Sequence, residues 1–131
     1  MSDYVKEKVL RIPVSDNDIK EIISKYNVDD LWGLEFVVAN FDYAEVGRFQ
    51  VAPTCGNFID YVLKYNCGSD FSDYGKVREL TENEKRKYQP IFHELWEGFD
   101  INKVRLVEFC WYNCCEAPDY YELEDDFSDE V

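Results

Sequence analysis

Five cysteines and one histidine are the residues of this chain best suited to soft-metal or thiol chemistry. Cys110, Cys114 and Cys115 stand together in CWYNCC, and Cys67 and His93 are the further ligands such a site would need. Structural zinc sites use two pairs of ligands, each pair about two to four residues apart on a tight knuckle. CWYNCC supplies one loose cluster instead, and adjacent Cys114 and Cys115 point to opposite faces if the strand continues through them. No metal site is expected, and Cys110, inside an apolar run, reads as a small core residue. Nucleophilic catalysis would pair a cysteine with His93 and an acid such as Asp60 or Glu94, but the spacing supports no such triad. The chain has no GxGxxG, no GxxxxGK[ST] and no HExxH, so nucleotide-dependent and zincin chemistry have no footing. The expectation is a protein that is not an enzyme and carries no cofactor.

Carboxylates are the second kind of chemistry on offer, and they are unevenly placed. The chain holds 28 acids against 14 bases, net −14. Residues 1–25 are balanced, with five of each. Residues 26–47 contain Asp29, Asp30, Glu35, Asp42 and Glu45 and no base. Residues 76–90 reverse the sign, with five bases against three acids. Residues 116–131 hold eight acids (Glu116, Asp119, Glu122, Glu124, Asp125, Asp126, Asp129 and Glu130) and no base. Blocks of five or more like charges mark interaction tails more often than solvated faces. Tyr120, Tyr121, Leu123 and Phe127 interrupt these carboxylates, which gives the segment residues that can dock.

If that segment is extended, Glu122, Glu124 and Asp126 project from one side about 6.6 to 6.8 Å apart. Phosphates on one DNA strand advance about 3.4 Å along the axis, and further along the winding backbone, so the two ladders are of the same order. If it is helical, Tyr120, Leu123 and Phe127 form a stripe instead. The sequence leaves both forms open, along with a solvated terminus.

Elements that would position these groups can be read from periodicity. Residues 4–12 mix Val, Leu and Ile with charges and predict a strand. Ser15 with Asp18 marks a helix start, and Ile19, Ile22, Ile23 and Tyr26 recur at helical spacing, giving a helix over 16–26. LWGLEFVVANFDY followed by AEVG and RFQVA predicts two antiparallel strands joined by a short turn. Thr54 would cap a helix over NFIDYVLKY, with Phe58, Tyr61, Val62 and Tyr65 on one face and Cys67-Gly68 as its stop. SDFSDYGK is turn-rich. Thr81 with Glu84 opens a further helix, kinked or broken at Pro90 and ended by Gly98. KVRLVEFCWY is the strongest strand and belongs in the centre of the sheet.

The sum is α+β: a single domain, mainly antiparallel sheet with two to four helices packed on it. It divides into a compact body over 1–118 and an acidic aromatic tail over 119–131, docked or partly disordered. A hydrophobic fraction of 46% with 17% aromatic residues excludes a disordered chain. No window approaches the ~20 apolar residues needed to span a bilayer, and the first residues do not resemble a signal peptide. The odd cysteine count fits a reducing compartment, so a cytoplasmic location is expected. Net −14 disfavours direct contact with nucleic acid or an anionic membrane and attracts basic protein partners.

In size, charge and aromatic content the chain resembles the small acidic inhibitors of phages and mobile elements, the anti-CRISPR and antirestriction proteins that mimic DNA. KYNCGS at 64–69 is similar to a motif of antirestriction proteins. The resemblance implies an inhibitor acting in a bacterial cytoplasm on the basic nucleic-acid-binding groove of a nuclease, such as a CRISPR effector or a restriction enzyme. Its carboxylates would replace phosphates while aromatic rings fill base pockets. The partner-binding residues would be Glu116, Asp119, Tyr120, Tyr121, Glu122, Glu124, Asp125 and Asp126, with Asp42 and Glu45 as a second patch. An immunity protein against a nuclease toxin fits the same composition. An adaptor or a small zinc-stabilised interaction module, its function lying away from the tail, is the alternative of a different class.

Overall fold

The computed structural model of the chain describes residues 4–31, 33, 34, 46–52, 58–72 and 74–112, with positions 52, 111 and 112 described by their backbone. Alternation in YVKEKVLRIP sends Val5, Glu7, Val9 and Arg11 to one side and Lys6, Lys8, Leu10 and Ile12 to the other, and this segment is strand β1 (Tyr4–Pro13). Ser15 and Asp18 form the expected capping box, each side chain accepting from the other's backbone N–H, and helix α1 (Asp16–Tyr26) follows. Asn27 closes it in the left-handed region at φ 55°, where its short polar side chain is tolerated.

Four more strands complete the sheet: β2 (Phe49–Ala52), β3 (Phe58–Gly68), β4 (Tyr74–Glu79) and β5 (Arg105–Tyr112). Their spatial order is β2-β3-β1-β5-β4, and every pairing is antiparallel. β1 therefore takes the middle place, and β5 lies beside it, flanked by β4 on its other side. Helix α2 (Glu82–Leu95) starts at the capping box of Thr81 and Glu84. A 3₁₀ turn (Ile101–Lys103) leads into β5. Among the described residues no helix is long and apolar enough to cross a membrane.

Both helices lie on the Leu10 and Ile12 face. Leu10, Ile12, Ile59 and Leu106 of the sheet pack with Ile22 of α1 and Phe92 and Leu95 of α2. Phe92 is fully buried and meets Phe49 and Phe99 edge-on, at centroid distances of 5.4 and 5.9 Å. Burying side chains of this size stabilises the fold by about 1.5–3 kcal/mol each. The opposite face carries a smaller cluster of Val9, Phe58, Val62, Val77, Val107 and Phe109. Both faces of the central strands thus carry apolar clusters.

The fold corrects several expectations. Residues 58–65 form part of β3 and are not a helix capped by Thr54. The cause is a bulge: Lys8 faces Lys64 while Val9 faces Val62, so Leu63 is the extra residue. The bulge puts Phe58, Val62 and Tyr65 on one side of the sheet, and their i, i+4, i+7 spacing imitates a helix. Tyr61, assigned to the same helical face, points to the other side and meets Phe49 at 5.1 Å. Leu31, Gly33 and Leu34 are helical where a strand was expected, with the Leu34 N–H bonded to the Asp30 carbonyl at 3.1 Å. The rest of that expected strand lies outside the described residues, and β2 pairs with β3. β4, hidden in a turn-rich stretch, was not anticipated. Pro90 does not break α2, which ends at Leu95, three residues before Gly98. Gly98 has a different use: a Cβ there would lie 2.3 Å from the Trp96 ring.

Deleting Leu63 removes the bulge and makes Val62 and Lys64 consecutive, so every other side chain of β3 keeps its face and its partner on β1. The expected result is a chain that still unfolds cooperatively, having lost the packing of Leu63 and the local twist. Leu63→Ala should keep the fold at a cost of about 1–2 kcal/mol, since the side chain is only partly buried. Calorimetry on the two variants checks this.

Candidate functional site

Two polar constellations are built by the sheet, one on each face. On the face away from the helices, register sets Arg11 of β1 opposite Asp60 of β3. Their side chains form a bidentate pair, with Nε to Oδ1 at 2.6 Å and Nη2 to Oδ2 at 2.5 Å. The Arg11 guanidinium also lies over the rings of Phe58 and Phe109, at 5.1 and 5.4 Å. Gln50 of β2, opposite Asp60, donates from Nε2 to Asp60 Oδ2 at 3.4 Å and to Glu7 Oε1 at 3.3 Å. Glu7, Arg11 and Asp60 are all buried. Burial, and then the charge of Asp60, raises the Glu7 carboxyl to about 7, against the weaker opposing effects of Gln50 and Arg11.

A carboxyl of raised pKa beside a second acidic side chain is the raw material of acid–base catalysis. Here they lie under the surface, with Asp60 wholly inaccessible, so no substrate reaches them. What the cluster does is bind β1, β2 and β3 together in one register.

On the helix face, beyond the end of the helical layer, the same registers assemble lysines. Lys64 of β3 faces Lys8 of β1, Lys8 faces Glu108 of β5, and Glu108 faces Lys76 of β4. The row crosses four strands, and Lys6 and Arg78 flank it. Glu108 is the carboxylate in its midst: it lies 3.7 Å from Lys6 and accepts from the Tyr74 hydroxyl at 3.1 Å. Arg78 turns to Glu84 at the start of α2 and holds that carboxyl down to about 2. Lys64 and Lys76 are exposed, and Lys8 is half-buried. Sequence reading noticed the bases of β4 but not the row, because it exists only once four strands are in register. The signal available was the i, i+2 spacing of Lys6 with Lys8 and of Lys76 with Arg78.

A shallow groove lies elsewhere, between Tyr26, Phe49, Tyr61 and Ile91, with Arg48 and Glu94 at its margin. Tyr26 and Lys25 both donate to the Leu95 carbonyl beside it, which holds α1 against the end of α2.

All ten expected partner-binding residues, Glu116, Asp119, Tyr120, Tyr121, Glu122, Glu124, Asp125, Asp126, Asp42 and Glu45, lie outside the described residues. The described residues nonetheless bear on them. They contain 15 acids and all 14 bases, net −1, which leaves 13 acids and no base in the remainder of the chain. Cys110 is buried in β5, as expected, and Cys67 is exposed on β3. Their side chains belong to opposite faces of the sheet. His93 Nε2 is within hydrogen-bond distance of the Phe99 carbonyl, at 2.9 Å. Among the described residues no group of three or more His, Cys, Asp or Glu is placed to hold a metal.

Two expected outcomes follow from the buried cluster. Asp60→Asn takes away the carboxylate that pairs bidentately with Arg11 and should cost about 3–5 kcal/mol, whereas replacing both members by apolar residues should cost less. Denaturant titration distinguishes the two. Glu7 has a raised folded-state pKa, so it favours folding fully below about 4.5 and loses that contribution as pH rises toward about 7. Glu7→Gln should therefore be stabilised relative to the parent at pH 7 and not at pH 4.5, by at most roughly 3 kcal/mol. Asp60, Arg11, Gln50 and Tyr65 all face this carboxyl, and none is altered in the variant.

No protein family, curated protein or solved structure matches this chain.

Proposed function

We propose that this protein is an acidic inhibitor that occupies the basic nucleic-acid-binding groove of a nuclease, a CRISPR effector or a restriction enzyme, in place of DNA. The observation that carries the reading is the division of charge: the described residues, at net −1, hold every base, and the remainder of the chain holds 13 acids and no base. A surface made acidic only for solubility disperses its carboxylates, whereas concentrated ones build a local field that steers a cationic partner. Arg and Lys of a nuclease would form charge-assisted bonds to Glu122, Glu124, Asp125 and Asp126, and Tyr120 and Tyr121 would be anchors. Asp42 and Glu45 offer a second patch.

The test compares the intact chain with a variant lacking 119–131 and with Glu122→Gln/Glu124→Gln/Asp126→Asn, against a panel of CRISPR effectors and restriction nucleases. The intact protein should inhibit at least one of them. Its association rate should fall by about tenfold or more as salt rises from low to physiological strength. Both variants should fold and bind weakly. Failure of the intact chain to bind any basic nuclease at low salt would overturn the proposal.

A further inference from the structure

Lys8 and Lys64 sit directly opposite each other in the antiparallel pair of β1 and β3. Like charges in that relation destabilise a sheet unless something opposes them. Lys76 stands two strands away in the same row, across Glu108. Strands are about 4.8 Å apart, so the row from Lys64 to Lys76 is about 14 Å long. With Lys6 and Arg78 it has five cations against Glu108 and Glu84. Among the described residues Lys8, Lys64 and Lys76 have no carboxylate at ion-pair distance. In a chain of net −14, three lysines that share a row and have no ion-pair partner among the described residues form a ready seat for an anion.

We infer that the occupant is the chain's own acidic segment, residues 116–131, docked in cis across the lysine row. Charge complementarity points to it, with eight acids and no base. Connectivity does too. The described part of β5 reaches Tyr112, opposite Tyr4 of β1, at the end of the sheet nearest Lys6. From Tyr4 to Lys8 is four residues of strand, about 14 Å, and from Tyr112 to Glu116 is four residues of chain with nearly the same reach. Carboxylates from Glu116 onward therefore come within range of Lys6, Lys8, Lys64 and Lys76 without any rearrangement of the sheet. Phe71 and Tyr74, whose rings lie 5.7 and 5.6 Å from the Lys6 ammonium, offer apolar surface at the same place for interleaved tyrosines. Tethering makes the local concentration of the segment of millimolar order, so individually weak ion pairs suffice.

Docking in cis has a consequence that rests on the proposed inhibitory role. A cationic partner must displace the lysine row to engage the segment, so the row weakens binding by the fraction of time the segment is docked. It also keeps the row from attracting nucleic acid.

Zero-length carbodiimide coupling of the full chain tests the docking without any nuclease. Low salt should yield links within a single molecule between Lys8, Lys64 or Lys76 and carboxylates of 116–131, identified by peptide mapping. Lys85 and Glu82, 3.2 Å apart, are the internal control. The expected links should vanish in about 1 M salt, where the screening length is about 3 Å. In Lys8→Gln/Lys76→Gln the yield of the link at the unaltered Lys64 should fall several-fold, and an unchanged yield would overturn the inference. If that double variant does not fold, Lys76→Gln alone, on the edge strand, should lower the yield of the links made at Lys8 and Lys64. Links confined to the control pair, links to residues 35–45 only, or links appearing only between two molecules would each overturn the inference. None of these outcomes depends on whether the protein inhibits a nuclease.

Discussion

The pairing of Arg11 with Asp60 is the interaction on which the sheet depends. It joins the middle strand to its neighbour on the side of the sheet where both described helices are absent, and it does so with two charge-assisted bonds at 2.6 and 2.5 Å. An ion pair that is buried contributes little net stability, because desolvation offsets the attraction. It does penalise alternatives. A one-residue slip of β3 would bury Arg11 opposite an apolar side chain and turn Asp60 toward Phe92. Gln50 extends the same constraint to β2, and Phe58 and Phe109 wall it from water. Register, once fixed there, also decides which lysines share a row on the other face.

Much of this fold was legible where local rules agree with one another. The two capping boxes announced α1 and α2, the alternation in YVKEKVLRIP announced β1, and the density of β-branched and aromatic residues announced β5. The α+β class follows from those four elements. β3 was misread because its bulge shifts the period from two toward the helical value within a single run. β4 was missed because YGKVRE is short, lies at the sheet edge and carries only one buried apolar residue, Val77. Central placement was given to KVRLVEFCWY, and β5 is an interior strand between β1 and β4; β1 takes the middle place because β2 adds to β3 on its other side. Only pairing, which is tertiary, could distinguish them.

Charge was legible in amount and position along the chain, but its opposition was not. Residues 76–90 stood out as basic; the structure divides them into bases of β4 that join Lys8 and Lys64 across the sheet, and bases of α2 such as Lys85 that pair with neighbours. The acidic excess thus belongs to segments outside the described residues, which are themselves nearly neutral.

Backbone hydrogen exchange of the chain, alone and bound to a basic nuclease, tests the central claim most directly. The account predicts that the partner newly protects residues 113–131, with or without 35–45, and leaves the groove beside Tyr26 and Phe49 unchanged. Protection confined to that groove, with the acidic segments exchanging as before, would contradict it.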